Sequence, residues 1–491
     1  MSRFSSKYNN LQNYFVVILP TFLYLFYIKK IAYPLNYQQD DVRELYISEY
    51  LDFACIVNKG DNHPLWTYLI WFFSKFSNIE LGYLVSSLNI FFLITSLYFI
   101  VQFFIEKFNK NIAILISIIF VSSPTVLTYS VSLKQYMIEL LFSSYCLYVS
   151  RNSESLQKSF NSISFYIISI LMILGSLVNA GVFFILMFYF LIKDKFDFVK
   201  LKYLLVIVLP ATFYIERIVD KVTRDAYGSY WENFFIVSSK AGNLIENFIF
   251  IFNMLFKSYL GIFYRDQLVY LLIPILFGII FYKVKLNLFP KLVFLSFLVL
   301  NILKLYPLGT GRTDIVLFPF VLVFIASILS KVIEKFNSLF FYLLTFVIII
   351  FAIINVNPFY KQEQVDSALI QIQESMDREV SIVIAKEQFP SFEYYGRTVF
   401  GSKTLSVNNC KILKPDIEYF VIGSKDIVNQ QVIEKYSSIY NNSEIIILGI
   451  ALESYGIYKD IEEAIILKGY TLLSSSQYPD GIYLNTYRLD S

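Results

Sequence analysis

Histidine, cysteine and charged residues are scarce in this chain of 491 residues. The single histidine, His63, leaves no metal cluster with a second histidine, and the sequence contains neither a Gly-rich phosphate loop nor a Ser-His-Asp spacing typical of a triad. The three cysteines are too few and too scattered for a disulfide framework or a zinc site, although a bridge between Cys55 and Cys410 stays open. Only 16% of the residues are charged and the net charge is +3, which indicates neither nucleic acid nor an acidic protein as a partner. No cofactor is predicted, and a divalent metal is the one cofactor left open.

Hydrophobic residues are abundant instead and make up 56% of the chain. A stretch of about 20 apolar residues is long enough to cross the hydrocarbon core of a bilayer as a helix. The pattern predicts an α-helical polytopic membrane protein with about eleven transmembrane helices. We place them at 12–32, 81–105, 111–129, 132–150, 162–179, 180–193, 200–216, 267–283, 289–305, 314–331 and 337–356.

The lysines and arginines of the short loops predict that the N-terminus is cytoplasmic. Two longer regions that do not span, 34–80 and 217–266, then lie on the outer side. Within the second region, we interpret the apolar stretch 247–263 as interfacial or re-entrant; if it crossed the membrane, the sidedness of every later segment would be reversed. With about eleven crossings, the region after 357 is expected outside the cytoplasm.

The C-terminal region, 358–491, has frequent charges and a different pattern. Short β-rich runs at 381–385, 419–422 and 444–448 alternate with helix-like stretches at 362–376 and 426–436. This alternation predicts a small α/β domain. The chain is therefore divided into a transmembrane domain, 1–357, and an extracytoplasmic domain, 358–491.

Acidic residues follow the first hydrophobic stretch and carry the strongest functional signal. The pair Asp40 and Asp41 is followed by the run Asp61-Asn62-His63-Pro64. Carboxylates placed where a membrane helix meets water are costly, so they indicate a functional site by default. A structural interpretation stays open, because acids favour the start of an interfacial helix and His63 could simply cap the turn before Pro64.

Four short motifs resemble those of the membrane glycosyltransferases of the GT-C fold, among them the protein O-mannosyltransferases and the lipid A aminoarabinose transferase. The acidic pair is the first motif, with Asp41 where a glutamate is usual. The run 63–66 is similar to a His-Pro-Pro-Leu element, with its second proline replaced. Lys134-Gln135-Tyr136 stands in place of Arg-x-Tyr, and the run 306–312 ends in an arginine at the start of a late span.

The resemblance implies a sugar donor linked to polyprenyl phosphate, an acceptor that is a glycan, a lipid or a protein, and direct, inverting transfer. It implies that Asp40 is the general base. Asp41 would be the second catalytic residue, with Asp41 and Asp61 orienting the substrate or each other. The implied substrate-binding residues are Asp61, His63, Lys134, Tyr136 and Arg312. It also implies an integral protein of a bacterial inner or plasma membrane, in contact with membrane lipids, with its active site outside the cytoplasm.

The chemistry of sugar transfer fits these residue types. Transfer from a lipid phosphate requires a base that takes the acceptor proton and cations that hold the departing phosphate. Arg312 offers a planar fork for phosphate oxygens and Lys134 a point charge, although both could merely extend toward lipid headgroups. Two other functions stay open: a cell-envelope glycan polymerase or ligase, and a transporter of lipid-linked glycans.

Overall fold

The computed structural model describes the chain in segments. These are residues 17–18, 20–25, 64–76, 81–151, 163–193, 234–237, 243–261, 288–333, 343, 345–347, 349–350, 365–376, 379–385, 389–407, 410–422, 439–440, 442–450, 462–463, 465–478 and 482–489. The chain divides into two compact units, with a change from the first to the second between Phe359 and Tyr360. The first unit contains the helices between Gly82 and Phe359, and the second contains the β-sheet and the two helices that follow Tyr360.

The helices of the N-terminal part are apolar over most of their length, as expected of segments that lie in a bilayer. They are α1 Pro64–Phe76, α2 Leu81–Lys107, α3 Lys110–Val121, α4 Pro124–Tyr129, α5 Tyr136–Val149, α6 Ile163–Gly175, α7 Leu177–Lys193, α8 Leu244–Leu260, α9 Leu288–Ile302, a 3-10 helix Thr313–Leu317 and α10 Phe318–Ile333. Within the described residues, two stretches are long and apolar enough to cross a membrane, Tyr83–Lys107 and Thr313–Lys331. The predicted spans 200–216 and 267–283 lie outside the described residues, and the count of eleven stays a prediction.

Three helix limits differ clearly from the predicted ones, and two of the differences have a local cause. The predicted span 111–129 is broken into α3 and α4, because Pro124 opens α4 and cannot donate a hydrogen bond back into α3. The boundary predicted between 179 and 180 lies instead at Ser176, whose Oγ accepts hydrogen bonds from the amides of Val178 (3.1 Å) and Asn179 (3.3 Å). The span predicted from 132 begins as a helix only at Tyr136.

The C-terminal unit is built on a mixed β-sheet and two helices. The strands are β1 Val380–Ala385, β2 Ser402–Val407, β3 Cys410–Pro415, β4 Phe420–Ile422, β5 Glu444–Ile450, β6 Tyr470–Gln477 and β7 Ile482–Leu489, and the helices are α11 Val365–Ser375 and α12 Phe389–Phe400. Five strands form the sheet in the order β4-β1-β5-β7-β6. Strand β1 is parallel to β4 and β5, whereas β7 is antiparallel to both β5 and β6. A separate hairpin pairs β2 with β3.

Both faces of this sheet are covered, which explains why β1 and β5 are continuous apolar runs rather than alternating ones. Ile382 and Ile384 point to the face that packs against Leu369 of α11 and Phe392 of α12. Val383 belongs to the core of the opposite face. The predicted strands at 381–385, 419–422 and 444–448 and the helix at 362–376 correspond to β1, β4, β5 and α11, whereas the helix predicted at 426–436 lies outside the described residues.

Candidate active site

The connection between α9 and the 3-10 helix is a long turn that ends at Arg312, and its beginning is fixed by an asparagine. The side chain of Asn301, which is fully buried, donates from Nδ2 to the carbonyl oxygens of Phe234 (2.7 Å) and Tyr306 (3.0 Å). Its Oδ1 accepts from the amide of Ile236 (2.9 Å). Since buried amides rarely go without partners, this one residue holds two separate stretches of chain together.

The end of the same turn is organised by Asp314, which is 0% exposed. One carboxylate oxygen accepts from the amide of Gly309 (2.9 Å) and the other from the hydroxyl of Thr310 (3.0 Å). The hydroxyl oxygen of Thr310 in turn accepts from the amides of Arg312 (3.2 Å) and Thr313 (3.0 Å). The backbone that carries Arg312 is therefore held in one conformation by hydrogen bonds within the turn.

Two glycines let this turn lie against α8. Gly309 and Gly311 have φ angles of +82° and +74°, in the left-handed region that side chains disfavour. A Cβ atom at Gly309 would lie 2.7 Å from the carbonyl oxygen of Ile251 in α8, and the hydroxyl of Tyr259 in α8 donates to the carbonyl of Asp314. The turn and α8 thus form one packed body.

A second turn, Ser130–Gln135, precedes α5 and carries Lys134. The indole Nε1 of Trp66 donates to the carbonyl of Leu133 (2.8 Å), and Nδ2 of Asn89 donates to the carbonyl of Ser132 (2.6 Å). Trp66 ends the run 63–66, so two motifs far apart in sequence are joined by a buried hydrogen bond one residue from Lys134. The carbonyls of Ser132 and Leu133 accept these tertiary hydrogen bonds and not hydrogen bonds of a helix, which agrees with the late start of α5 at Tyr136.

The helix that follows Lys134 packs against the 3-10 helix that follows Arg312. The turn before α5 therefore meets the run 63–66 through Trp66, and α5 itself meets the 3-10 helix that directly follows the run 306–312. Lys134 and Arg312 are both half-buried, whereas Tyr136 is buried with its ring centroid 4.5 Å from that of Tyr129. Three of the four sequence motifs are therefore carried by, or lie directly beside, elements that contact one another.

The remaining predicted site residues lie outside the described residues: Asp40, Asp41, Asp61 and His63. Their roles stay predictions. Among the residues that the structure does describe, no group of three or more His, Cys, Asp or Glu side chains is arranged to hold a metal ion.

Sequence reasoning missed two buried acids. Asp314 lies two residues after Arg312, and the signal for it was a Gly-Thr-Gly turn closed by an acid, a residue type that pairs with turn amides. Glu139, in the first turn of α5, is buried and hydrogen-bonded to Ser176 at the break between α6 and α7. An acid inside an apolar predicted span was the signal for Glu139, because such residues are costly in a bilayer.

The fold is similar to that of solved membrane glycosyltransferases. Two crystal structures of ArnT from Cupriavidus metallidurans, a lipid A aminoarabinose transferase of the GT-C fold, match over nearly the whole chain. The structure bound to undecaprenyl phosphate has a TM-score of 0.51 at 9% identity and covers 96% of this chain and 97% of ArnT. The apo structure has a TM-score of 0.50 at 9% identity and covers 98% of each chain. The GT-C fold of a polytopic membrane protein with a C-terminal sheet, predicted from the sequence, is thereby confirmed.

A third structure, the Archaeoglobus fulgidus oligosaccharyltransferase in complex with zinc and sulfate, has a TM-score of 0.48 at 13% identity and covers 88% of this chain and 68% of its own. No protein-family model matches the sequence, and the search of curated proteins found no match.

Proposed function

We propose that this protein is a membrane glycosyltransferase that takes a sugar from a polyprenyl-phosphate donor and passes it to a cell-envelope acceptor outside the cytoplasm. The observation that carries the proposal is the convergence at α5. Trp66 is bonded to the carbonyl before Lys134, and α5 packs against the 3-10 helix that follows Arg312. The similarity in fold to ArnT, which was crystallised with undecaprenyl phosphate, agrees with a lipid phosphate as part of the donor.

The proposed phosphate site consists of one arginine and one lysine. The guanidinium of Arg312 can place two parallel N–H groups on two phosphate oxygens, and its backbone is already fixed by the turn. Lys134 adds a second positive charge from a turn that is anchored by Trp66 and Asn89. Both charges would stabilise the phosphate as negative charge develops on it during bond cleavage.

The proposed chemical step is a direct displacement at the anomeric carbon. The acceptor hydroxyl oxygen forms the new bond to that carbon while the bond from the carbon to the phosphate oxygen breaks, and the electron pair leaves with the polyprenyl phosphate. Asp40 accepts the hydroxyl proton as general base, with Asp41 and Asp61 orienting the substrate or each other. Attack opposite to the leaving phosphate inverts the configuration.

Binding of undecaprenyl phosphate to variants of the reconstituted protein tests the phosphate site. A bidentate, charge-assisted contact contributes about 1.5 to 3 kcal/mol, so Arg312→Ala should weaken binding by roughly 10- to 150-fold. Arg312→Lys should restore part of the loss, since it keeps the charge but not the fork. Arg151→Ala is the matched control, because Arg151 lies at the other end of α5 and pairs with Glu106 at 2.6 Å.

Three results would contradict the proposal. If Arg312→Ala binds undecaprenyl phosphate as tightly as the unchanged protein, Arg312 only extends toward headgroups. If vesicles containing the protein move a lipid-linked sugar across the bilayer without forming a glycosidic bond, transport replaces transfer as the function. A product with many linked repeats would instead indicate a polymerase.

A further inference from the structure

Asp314 is an acid whose carboxylate is used entirely inside the turn that carries Arg312. It accepts hydrogen bonds from the amide of Gly309 and from the hydroxyl of Thr310, one on each oxygen. It is fully buried, and its own carbonyl accepts from the hydroxyl of Tyr259 in α8. A carboxylate has enough lone pairs to accept from all of these donors, and no other side chain of this size accepts as many hydrogen bonds.

We propose that Asp314 is a positioning residue for the donor phosphate that acts only through Arg312. The inference rests on the proposed phosphate site. Arg312 follows Gly311 directly, and its amide is bonded to Thr310, which is itself bonded to Asp314. The carboxylate thus fixes the backbone from which the guanidinium extends, before any lipid binds.

Preorganisation of this kind has a measurable consequence. When only a fraction of the molecules holds the binding conformation, the apparent affinity falls by that fraction. Without the carboxylate, the amide of Gly309 and the hydroxyl of Thr310 lose their shared acceptor, and two glycines give the turn many alternative conformations. If the competent fraction falls to about a tenth, binding of the lipid phosphate weakens about tenfold.

Whether Asp314→Asn weakens or tightens phosphate binding distinguishes a positioning role of Asp314 from a direct electrostatic effect of its charge. Asp314 is an acid close in sequence to the proposed phosphate ligand, so a purely through-space charge effect would repel the phosphate. Asp314→Asn removes that charge, and repulsion alone would then make binding tighter. Positioning predicts weaker binding instead, because the asparagine NH2 group replaces one acceptor oxygen with a donor. Asp314→Ala should have the larger effect, since it removes both oxygens.

A double-mutant cycle in the full chain provides the test, with undecaprenyl phosphate as the probe. Asp314→Ala should weaken binding about tenfold in the otherwise unchanged protein, and by less than twofold when Arg312 is already alanine, because the residue through which it acts is gone. Ser327→Ala is the matched control, since it removes a buried hydrogen bond (2.7 Å) from α10, the helix that follows the same turn. Thermal unfolding of each variant shows whether the protein is folded.

The possible outcomes are distinct. Equal weakening by Asp314→Ala in both Arg312 backgrounds, or tighter binding by Asp314→Asn, would overturn the positioning role while leaving the phosphate site intact. No effect of Arg312→Ala would overturn the phosphate site and this inference together. If Asp314→Ala does not fold, Asp314→Asn and Thr310→Val replace it in the cycle, and the same loss of coupling to Arg312 is expected.

Discussion

Substitution of Gly309 by alanine gives a sharp test of the packed turn. The structure indicates two separate contributions by which the added methyl group would lower the stability of the fold. The φ angle of +82° is unfavourable for an L-residue by about 1 to 2 kcal/mol. The added Cβ would also lie 2.7 Å from the carbonyl oxygen of Ile251, a backbone atom that cannot move without shifting α8, and overpacking of this kind typically costs about 1 to 3 kcal/mol.

The two costs together predict that Gly309→Ala destabilises the first unit by roughly 2 to 5 kcal/mol. If the turn shifts instead of unfolding, the same substitution moves Arg312 and weakens the binding of undecaprenyl phosphate. The assay therefore combines the free energy of unfolding in detergent or nanodiscs with lipid-phosphate affinity. At least one of the two quantities has to change.

Two other glycines serve as controls because they separate the costs. Gly401 has a φ angle of +79° but nothing within 4 Å of a Cβ, so Gly401→Ala should show only the conformational cost. Gly181 lies inside α7 with equally open space, and Gly181→Ala should stabilise its helix by up to about 1 kcal/mol. If Gly309→Ala costs no more than Gly401→Ala and leaves lipid binding unchanged, the contact between the turn and α8 is refuted.

Two further predictions concern the other motifs. Asp40→Asn should reduce turnover by a factor on the order of 10² to 10⁴ with lipid-phosphate binding nearly unchanged, whereas Asp41→Asn should reduce it less; normal sugar-transfer rates for both variants would refute the catalytic pair. Trp66→Phe removes the bond to the carbonyl of Leu133 and leaves that buried carbonyl without its indole donor, at a cost of about 1 to 3 kcal/mol. Calorimetry of this variant measures that cost, with Trp71→Phe as the control because Trp71 is a partly exposed tryptophan of the same helix. Equal unfolding temperatures for the two variants would contradict the prediction.

The membrane fold was predictable because apolar runs of about 20 residues have few alternatives to a membrane helix. The strands were predictable where both faces are buried, as in β1 and β5, since such runs are short, apolar and β-branched. The breaks between helices were harder to predict from the sequence. Pro124 was visible in the sequence, but its break was missed because the apolar run continues on both sides, and the break at Ser176 depends on its hydroxyl capping α7.

The organisation of the site could be predicted from the sequence only in part. Arg312 and Lys134 could be selected because they stand in motifs that resemble those of a known family and because phosphate chemistry requires cations. Their surroundings depend on tertiary hydrogen bonds that no local pattern encodes, such as the bond from Trp66 to Leu133, 67 positions away. The role of Asp314 likewise becomes clear only when its partners in the turn are seen.

The position of β7 in the sheet has a consequence for biogenesis. This strand is the most C-terminal of the sheet, yet it lies in the interior, between β5 and β6. During synthesis, β1 and β5 can pair early, but β6 has to wait until β7 has left the ribosome, because β7 is the strand to which it is bonded. A premature stop before Ile482 would therefore leave the edge of β5 open and hydrophobic core residues such as Ile446 exposed, and quality-control proteases would be expected to remove the product.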